Sequence, residues 1–428
     1  MKSAKFKDSP LGPIPQDWEV KRLGEIGEPL MCKRVLKHQT SDQGDIPFYK
    51  IGTFGKTPDA YITRSLFESL RSKYPFPRKG DCLISAAGTI GRVVVYNGED
   101  AYFQDSNIVW IDNDEAVVTN EYLALCYALM KWQSEDGGII SRLYNANLKA
   151  QIIVCPPLPE QQRIAEALGE VDKLIESLDA QIEKKRRIAQ GLAHDLLGMR
   201  SGMNEPVRRL PGFKGVWRRV PFSQAFTMLN NNTYSRDFMC APREGTVMNI
   251  HYGDVLIKFA CVLDLGVDEV PCLKNGVRPN KDFIQDGDIV IADTAEDETV
   301  GRVVEIQGVG GSQCVSGLHT VLCRPMTNAF ASGFLGYYMN SQFYHEQLIP
   351  LITGSKVSAL SRSSLAKTEL VIPPTIAEQQ AIAEVLAAAD SEITGLEAKK
   401  RKYEQIKSGM MRDLLTGKVR MKGECDDK

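Results

Sequence analysis

Two closely similar stretches, PPLPEQQRIAEALGEVD at residues 156–172 and PPTIAEQQAIAEVLAAAD at residues 373–390, decide the fold of this chain. Each stretch contains a proline pair, then a Glu-Gln-Gln triplet and the start of a helical pattern. Because proline restricts the residue before it and cannot continue a strand ladder, each pair predicts the point where a globular region passes into a helix. An offset of 218 residues aligns the two helices without a gap, as far as an Asp-Leu-Leu shared near their ends. The chain therefore contains an internal duplication.

Apolar residues recur at alternating steps of three and four along both predicted helices, residues 160–197 and 378–415, as in a coiled-coil seam. Each helix should be about 57 Å long at about 1.5 Å per residue. A lone helix would leave this seam in water, so we expect the two copies to pair. We favour an antiparallel coiled coil, because it relates duplicated halves by a pseudo-twofold axis. The predicted pairing residues are Ile164, Leu168, Val171, Ile175, Leu178, Ile182, Leu192, Leu196, Ile382, Leu386, Ala389, Ile393, Leu396, Tyr403, Met410 and Leu414.

The segments before each helix also correspond. Trp18 and Trp217 lie in similar opening stretches, and the runs that start at Gly80 and Gly287 each predict a β-hairpin. A short helical pattern then precedes each proline pair. We predict an α+β protein with two mixed α/β regions and two long helices, divided as 1–155, first globular region; 156–200, central helix; 201–372, second globular region; 373–420, C-terminal helix; and 421–428, tail.

Composition places the chain among ordinary globular proteins, with 43% hydrophobic and 25% charged residues among 428. No apolar run approaches the roughly 20 residues that a membrane helix needs, and the N-terminus has no apolar signal core. The ten cysteines form no C-x-x-C pair, which is typical of a reducing compartment. We therefore expect a cytoplasmic protein. Its formal charge of −2 means that any nucleic-acid site must be local.

The sequence contains no convincing active site or metal site. IGTFGKT at residue 51 lacks the first glycine of a phosphate loop, and AAGTIG at residue 86 lacks the spacing of a dinucleotide fingerprint. VCPPLPEQ at residue 154 lacks the asparagine and aromatic residue of an adenine methyltransferase motif. DTAEDE at residue 293 has neither a calcium-loop glycine nor a His or Cys beside it, and the five histidines lie in no catalytic or zinc pattern.

Two segments have the composition of a DNA-binding surface. Residues 33–92 contain eleven basic and five acidic residues, with aromatic residues between them, which suits a surface that grips phosphates. LNNNTYSRDFMCAPREG at residue 229 combines asparagines with arginines, the residues that read adenine and guanine in the major groove. A solvated face and a plain polar turn are the alternative interpretations of the two segments.

The duplicated Pro, Glu-Gln and Asp-Leu-Leu helices, IPQDWEVKRLGE at residue 14, GDCLISAAGTIGR at residue 80 and GLHTVLCRP at residue 317 together resemble the DNA-specificity subunit of type I restriction-modification enzymes, over essentially the whole chain. This resemblance implies two target-recognition domains that each read one half of a bipartite site in double-stranded DNA. It also implies long helices that set the spacing and dock two adenine-N6 methyltransferase subunits, and a restriction/translocase subunit in the complex. The chain itself would be non-catalytic and hold no cofactor, with S-adenosylmethionine, ATP and Mg in the partner subunits.

Recognition contacts lie in the variable segments of that family, so the DNA-binding candidates rest on local chemistry alone. They are Lys33, Arg34, Lys37, Lys50, Lys56, Arg92, Asn231, Asn232, Tyr234, Arg236, Arg243, Lys258, Lys356 and Arg362. One alternative is a coiled-coil scaffold that links two ligand-binding globular domains without nucleic acid. Another is a detached recognition half that pairs with a single methyltransferase chain.

Overall fold

The computed structural model describes residues 6–130, 132, 142–200, 203–279, 282–354, 356–421 and 423. The chain forms two compact units: unit 1 is Met1–Leu178 with Lys399–Lys428, and unit 2 is Asp179–Ala398. Each unit therefore contains one globular region and a part of each long helix. The division falls within the helices because each helix ends in a different unit from the one in which it starts.

The globular region of unit 1 is built on a four-stranded sheet of order β4-β10-β7-β8 and a three-stranded sheet of order β6-β5-β9. Strand β11 pairs with β3, directly before the first long helix, α5. The predicted hairpin is confirmed, since β7 and β8 are antiparallel. The elements are β1 (Phe6–Lys7), β2 (Ile14–Pro15), β3 (Glu19–Arg22), α1 (Leu23–Ile26), β4 (Gly27–Leu30), β5 (Ile46–Tyr49), β6 (Tyr61–Ile62), α2 (Arg64–Lys73), β7 (Cys82–Ser85), β8 (Val93–Val95), β9 (Tyr102–Phe103), β10 (Ile108–Asn113), α3 (Asn120–Leu129), α4 (Asn145–Ala150), β11 (Ile152–Cys155) and α5 (Leu158–Leu197).

Unit 2 repeats this organisation with larger sheets, a five-stranded sheet of order β13-β22-β18-β20-β16 and a four-stranded sheet of order β14-β17-β15-β21. The hairpin predicted for this unit is also confirmed, since β18 and β20 are antiparallel. The elements are β12 (Arg218–Pro221), α6 (Phe222–Ala225), β13 (Phe226–Leu229), β14 (Met239–Cys240), β15 (Val247–Ile250), α7 (Tyr252–Ile257), β16 (Val262–Asp264), β17 (Cys272–Leu273), β18 (Ile289–Ala292), β19 (Thr294–Ala295), β20 (Val303–Gln307), β21 (Gln313–Ser316), β22 (Thr320–Pro325), α8 (Phe334–Met339), α9 (Gln342–Leu348), β23 (Ser358–Ala359), α10 (Arg362–Leu365), β24 (Glu369–Ile372) and α11 (Ile376–Leu415).

The long helices, α5 and α11, begin two residues before the predicted positions and end at the predicted ones. The first turn of α5 accommodates Pro159 because the first amides of a helix have no partner within the helix. No helix among the described residues combines the length and apolar character needed to cross a membrane.

The two long helices lie antiparallel within each unit. In unit 1, Lys407 near the end of α11 pairs with Asp172 near the start of α5 at 2.5 Å. In unit 2, Lys185 of α5, the residue that interrupts the heptad pattern, pairs with Glu392 of α11. Residue numbers thus fall along one helix as they rise along the other. The predicted direction of pairing is confirmed, while knobs-into-holes packing along the full seam remains a prediction.

Burial of the seam is greatest where the helices enter the globular cores. Ile164 and Leu168 join the core of unit 1 together with Leu414, and the core of unit 2 takes in Ile382, Leu386 and Leu196. Val171, Leu178 and Ile182 are buried farther along α5. The other predicted pairing residues are half-buried: Ile175, Leu192, Ala389, Ile393, Leu396, Tyr403 and Met410.

The duplicated Glu-Gln pair explains the proline lead-ins. The buried Gln161 amide donates to the carbonyls of Pro156 and Val117, and its oxygen accepts from the Thr119 amide. Gln379 makes the same three bonds to its own lead-in and to the loop before α8. Each glutamine therefore ties the first turn of a long helix to the globular region that precedes it.

Candidate nucleic-acid interface

A polar cleft of about 570 Å³ opens in the globular region of unit 1. Three sequence-predicted candidates, Arg34, Lys37 and Lys50, lie together in its wall. The segment Gln104–Asn107, which leads into the buried strand β10, forms another part of the wall. The cleft therefore gathers cations and amides on loops that a rigid sheet supports, as a base-reading surface requires.

Two of the cations of this cleft are each held by a carboxylate and yet stay exposed. Arg34 donates through Nε to Asp105 at 2.9 Å, with 66% of its side chain exposed. Lys50 pairs with Asp59 at 2.8 Å. Since the bond to Asp105 uses only Nε, the terminal nitrogens of Arg34 can still meet a guanine edge or a phosphate. The acidic partners orient the cations without enclosing them.

The remaining unit 1 candidates have different surroundings. Lys33 lies over the Tyr74 ring, with Nζ 5.0 Å from its centroid, and Lys56 is exposed in a loop. Arg92 is half-buried and donates through Nη1 to the Phe54 carbonyl at 2.8 Å. Its counterpart Arg302 in unit 2 likewise donates to backbone carbonyls. This repeated contact gives Arg92 a role in holding the loop.

In unit 2, two candidates that are distant in sequence come together. Arg362 donates to the Leu229 carbonyl at 2.7 Å and to the Asn231 side-chain oxygen at 3.4 Å. Both side chains are half-buried. Asn232, by contrast, is buried and donates to Asn249 at 2.7 Å, so its amide supports the fold. Asn231 and Arg362 thus remain partly accessible, whereas Asn232 is enclosed.

The other unit 2 candidates lie on several loops. Tyr234 donates to the Arg278 carbonyl at 2.8 Å, and exposed Arg236 pairs with the buried carboxylate of Asp254 at 2.9 Å. Lys258 donates to a backbone carbonyl at 2.6 Å. Arg243 has a left-handed backbone with φ of 68°, and Lys356 is exposed. Neither Arg243 nor Lys356 belongs to the group that Asn231 forms with Arg362.

His319, which was not among the sequence-predicted candidates, occupies in unit 2 the place of Asn107 in unit 1. The Asn107 carbonyl accepts from Ala86 and the His319 carbonyl from Asp293, at matching points of the two sheets. The His319 ring packs edge-on against Tyr252 at 5.2 Å and lies 3.3 Å from the Thr294 hydroxyl. The signal was available in the sequence, because both residues directly precede a buried strand, β10 or β22.

Among the described residues, no group of three or more His, Cys, Asp or Glu side chains is arranged to hold a metal ion. The described cysteines are free thiols, and burial raises the pKa of Cys82 to about 12. Such thiols are poor nucleophiles. These features fit the interpretation that the buried cysteines fill space in the core.

Taken together, the fold is that of a duplicated binding protein: two mixed α/β regions with polar, cation-bearing loops, joined by paired helices. The family model for the type I restriction modification DNA specificity domain matches residues 15–185 and 271–408. The chain therefore belongs to the type I restriction-modification DNA specificity family, and the scaffold alternative is not favoured.

Relatives agree with this assignment, and a solved structure agrees with the fold. A putative type I restriction enzyme specificity subunit from Haemophilus influenzae is 58% identical over 160 residues, which span 37% of this chain and 42% of that protein. The putative MjaX specificity subunit from Methanocaldococcus jannaschii is 26% identical over 98% of both chains. The crystal structure of the S subunit from M. genitalium has a TM-score of 0.55 at 13% identity, covering 93% of this chain and 96% of that one, and so supports the fold.

Proposed function

We propose that this chain reads a bipartite target in double-stranded DNA, one half with each globular region, while α5 and α11 set the unread gap between the halves. The observation that carries the proposal is the duplication: each unit has its own polar, cation-bearing loops and its own attachment to both helices. Two different loop sets on one repeated frame suit a target with two unlike halves. Local positive groups rather than net charge would provide the affinity for phosphate.

Arg34, Lys37 and Lys50 are the proposed contacts to the first half-site, and Asn231, Arg236 and Arg362 those to the second. Arg34→Ala should weaken or relax the first half-site alone, and Arg236→Ala the second alone. A loss of one base contact corresponds to about 1–3 kcal/mol of discrimination. An equal response of both halves to either variant would show that these contacts are wrong.

The chemistry is proposed to belong to partner subunits: two adenine-N6 methyltransferase subunits that use S-adenosylmethionine, and a restriction/translocase subunit that uses ATP and Mg. The chain would then act as a non-catalytic subunit in the cytoplasm. The helices support the docking of two copies of one partner. Ile188 of α5 and Ile406 of α11 are equivalent under the duplication, and they are 46% and 40% exposed. Exposed aliphatic residues repeated in this way suit two equivalent protein contacts.

Co-expression with the cognate adenine methyltransferase tests the proposal directly. Sequencing of methylated bases in the host DNA should reveal one motif with two defined halves and a gap of fixed length. The same strain without this chain should show no such motif. If the complex forms and methylates no bipartite motif, the proposed function is refuted.

A further inference from the structure

The carboxylate of Glu160, the glutamate of the first Glu-Gln-Gln triplet, is 2% exposed and saturated with donors. The Trp18 indole donates to it at 3.0 Å and the Met421 amide at 3.0 Å. Arg420 donates to both of its oxygens, at 2.8 and 2.7 Å. Burial alone would raise the pKa of Glu160, but the bonds from Arg420 and Trp18 outweigh burial and lower it. Glu160 is therefore held as a charged acceptor.

Arg420 contacts two further residues of this cluster besides Glu160. It also donates to both oxygens of Asp17, at 2.8 and 2.6 Å, and its guanidinium lies 5.4 Å from the centre of the Trp18 ring. Only 13% of its side chain is exposed. One arginine thus joins the opening segment of the globular region to the first turn of α5.

Arg420 follows the end of α11, and the turn that brings it back is tightly packed. Gly417 has φ of +69°, and a Cβ at this position would lie 2.4 Å from Pro15 and 3.2 Å from Trp18. Arg163 of α5 donates to the Met421 carbonyl. The segment 416–421, which we term the tail latch, therefore binds the end of α11 to the globular region of unit 1.

Unit 2 contains the corresponding cluster. Glu378 accepts from the Trp217 indole at 3.3 Å and from Arg209 through two bonds of 2.7 Å. Arg209, however, lies in the stretch that runs from α5 into β12. The backbone itself therefore connects α5 to the globular region of unit 2. In unit 1 the globular region continues into α5 through Pro156, whereas α11, within the described part of the chain, is attached to that region through packing and the tail latch.

We infer that Arg420 is a positioning residue: by fastening α11 to the globular region of unit 1, it fixes that region against the helix pair and so restricts the gap between the half-sites. A region attached to one helix can turn about its junction, whereas attachment to both helices opposes rotation. The inference rests on the proposed function, since the gap has meaning only for a bipartite target. It assigns no base contact to Arg420, so the half-site sequences should not change.

The test uses the full chain in complex with its methyltransferase and a plasmid library in which the two half-sites are separated by the natural gap or by gaps one and two base pairs shorter or longer. Arg420→Ala should raise methylation at the altered gaps, relative to the natural gap, by at least about tenfold, the factor that corresponds to one lost charge-assisted hydrogen bond. Arg209→Ala should have a smaller effect because the backbone still holds unit 2. Arg412→Ala removes an exposed arginine from α11 and should leave the preference unchanged.

The variants separate positioning from folding. If Arg420→Ala does not fold, Arg420→Lys and Asp17→Asn test the same inference. Each retains part of the cluster and should reduce the selectivity for the natural gap to a lesser degree. Natural gap selectivity in a folded Arg420 or Asp17 variant would overturn the inference, as would altered half-sites. A wild-type complex that methylates no bipartite site would instead refute the proposed function, on which the inference rests.

Discussion

Replacing Arg209 with methionine offers a strong test of how the duplicated glutamates stabilise the fold. Glu378 is 1% exposed and Arg209 19% exposed, and the two are joined by two bonds of 2.7 Å. Arg209 also donates to the carbonyls of Lys214 and Gly215. Methionine would keep the packing of the aliphatic stem and remove every one of these donors.

The expected magnitude follows from the burial of the pair. Removing one partner of a buried ion pair leaves an uncompensated charge and costs about 3–5 kcal/mol. Glu378→Gln keeps an acceptor for Trp217 and leaves Arg209 with its two carbonyl partners, so it should cost about 1–3 kcal/mol. In the double variant no charge is stranded. We therefore expect Arg209→Met with Glu378→Gln to be more stable than Arg209→Met alone, which requires a coupling energy larger than the cost of Glu378→Gln, about 3 kcal/mol.

Native-state hydrogen exchange provides the measurement, because β12 and β24 pair beside Trp217 and report on unit 2 separately from unit 1. Arg219→Met is the matched control. Its pair with Glu369 in the same unit has side chains 55% and 38% exposed, so its loss should cost less than about 1 kcal/mol. A cost for Arg209→Met no greater than that of the control, or strictly additive costs in the double variant, would refute the reasoning.

Three further predictions concern other parts of the chain. Gly417→Ala should destabilise unit 1 by about 1–3 kcal/mol in urea unfolding, since its Cβ would meet Pro15. Gly395→Ala lies in open space on α11 and should instead increase the free energy of unfolding, by at most about 1 kcal/mol. Burial raises the pKa of Glu305 from 4.5 to about 7. Between these two pH values, the folded protein retains a proton on Glu305 that the unfolded chain has lost. The contribution of Glu305 to the free energy of unfolding should therefore fall by roughly 3 kcal/mol as pH rises from 4.5 to 7, and Glu305→Gln should remove that contribution; the same pH dependence in the variant and the parent protein would contradict the prediction. Deleting seven residues in register from both long helices removes about 10 Å of helix, so it should shorten the gap between the half-sites by about three base pairs and leave both half-sites unchanged. An altered half-site with an unchanged gap would contradict the role of the helices.

Much of the architecture could be predicted because its signals are local or repeated. The heptad steps from Ile164 and from Ile382 predicted the long helices, and the duplication predicted that they pair. The candidate interface was predicted less completely. Composition proposed Arg34 and Lys50 as candidates, but it could not distinguish the exposed Arg34 from Arg92, which holds a loop, because both are arginines in one basic stretch.

The sequence by itself determined the duplication, the two long helices with their proline lead-ins, and the resemblance that implied DNA recognition. Only the tertiary structure decided which partners meet across long separations. Arg420 reaches Glu160 from 260 residues away, and His319 takes the place of Asn107 on a repeated sheet. The physical reason is that periodicity and turn chemistry are set by neighbouring residues. The partner of a buried charge is instead set by how sheets and helices pack, and a repeated glutamate does not reveal which arginine will reach it.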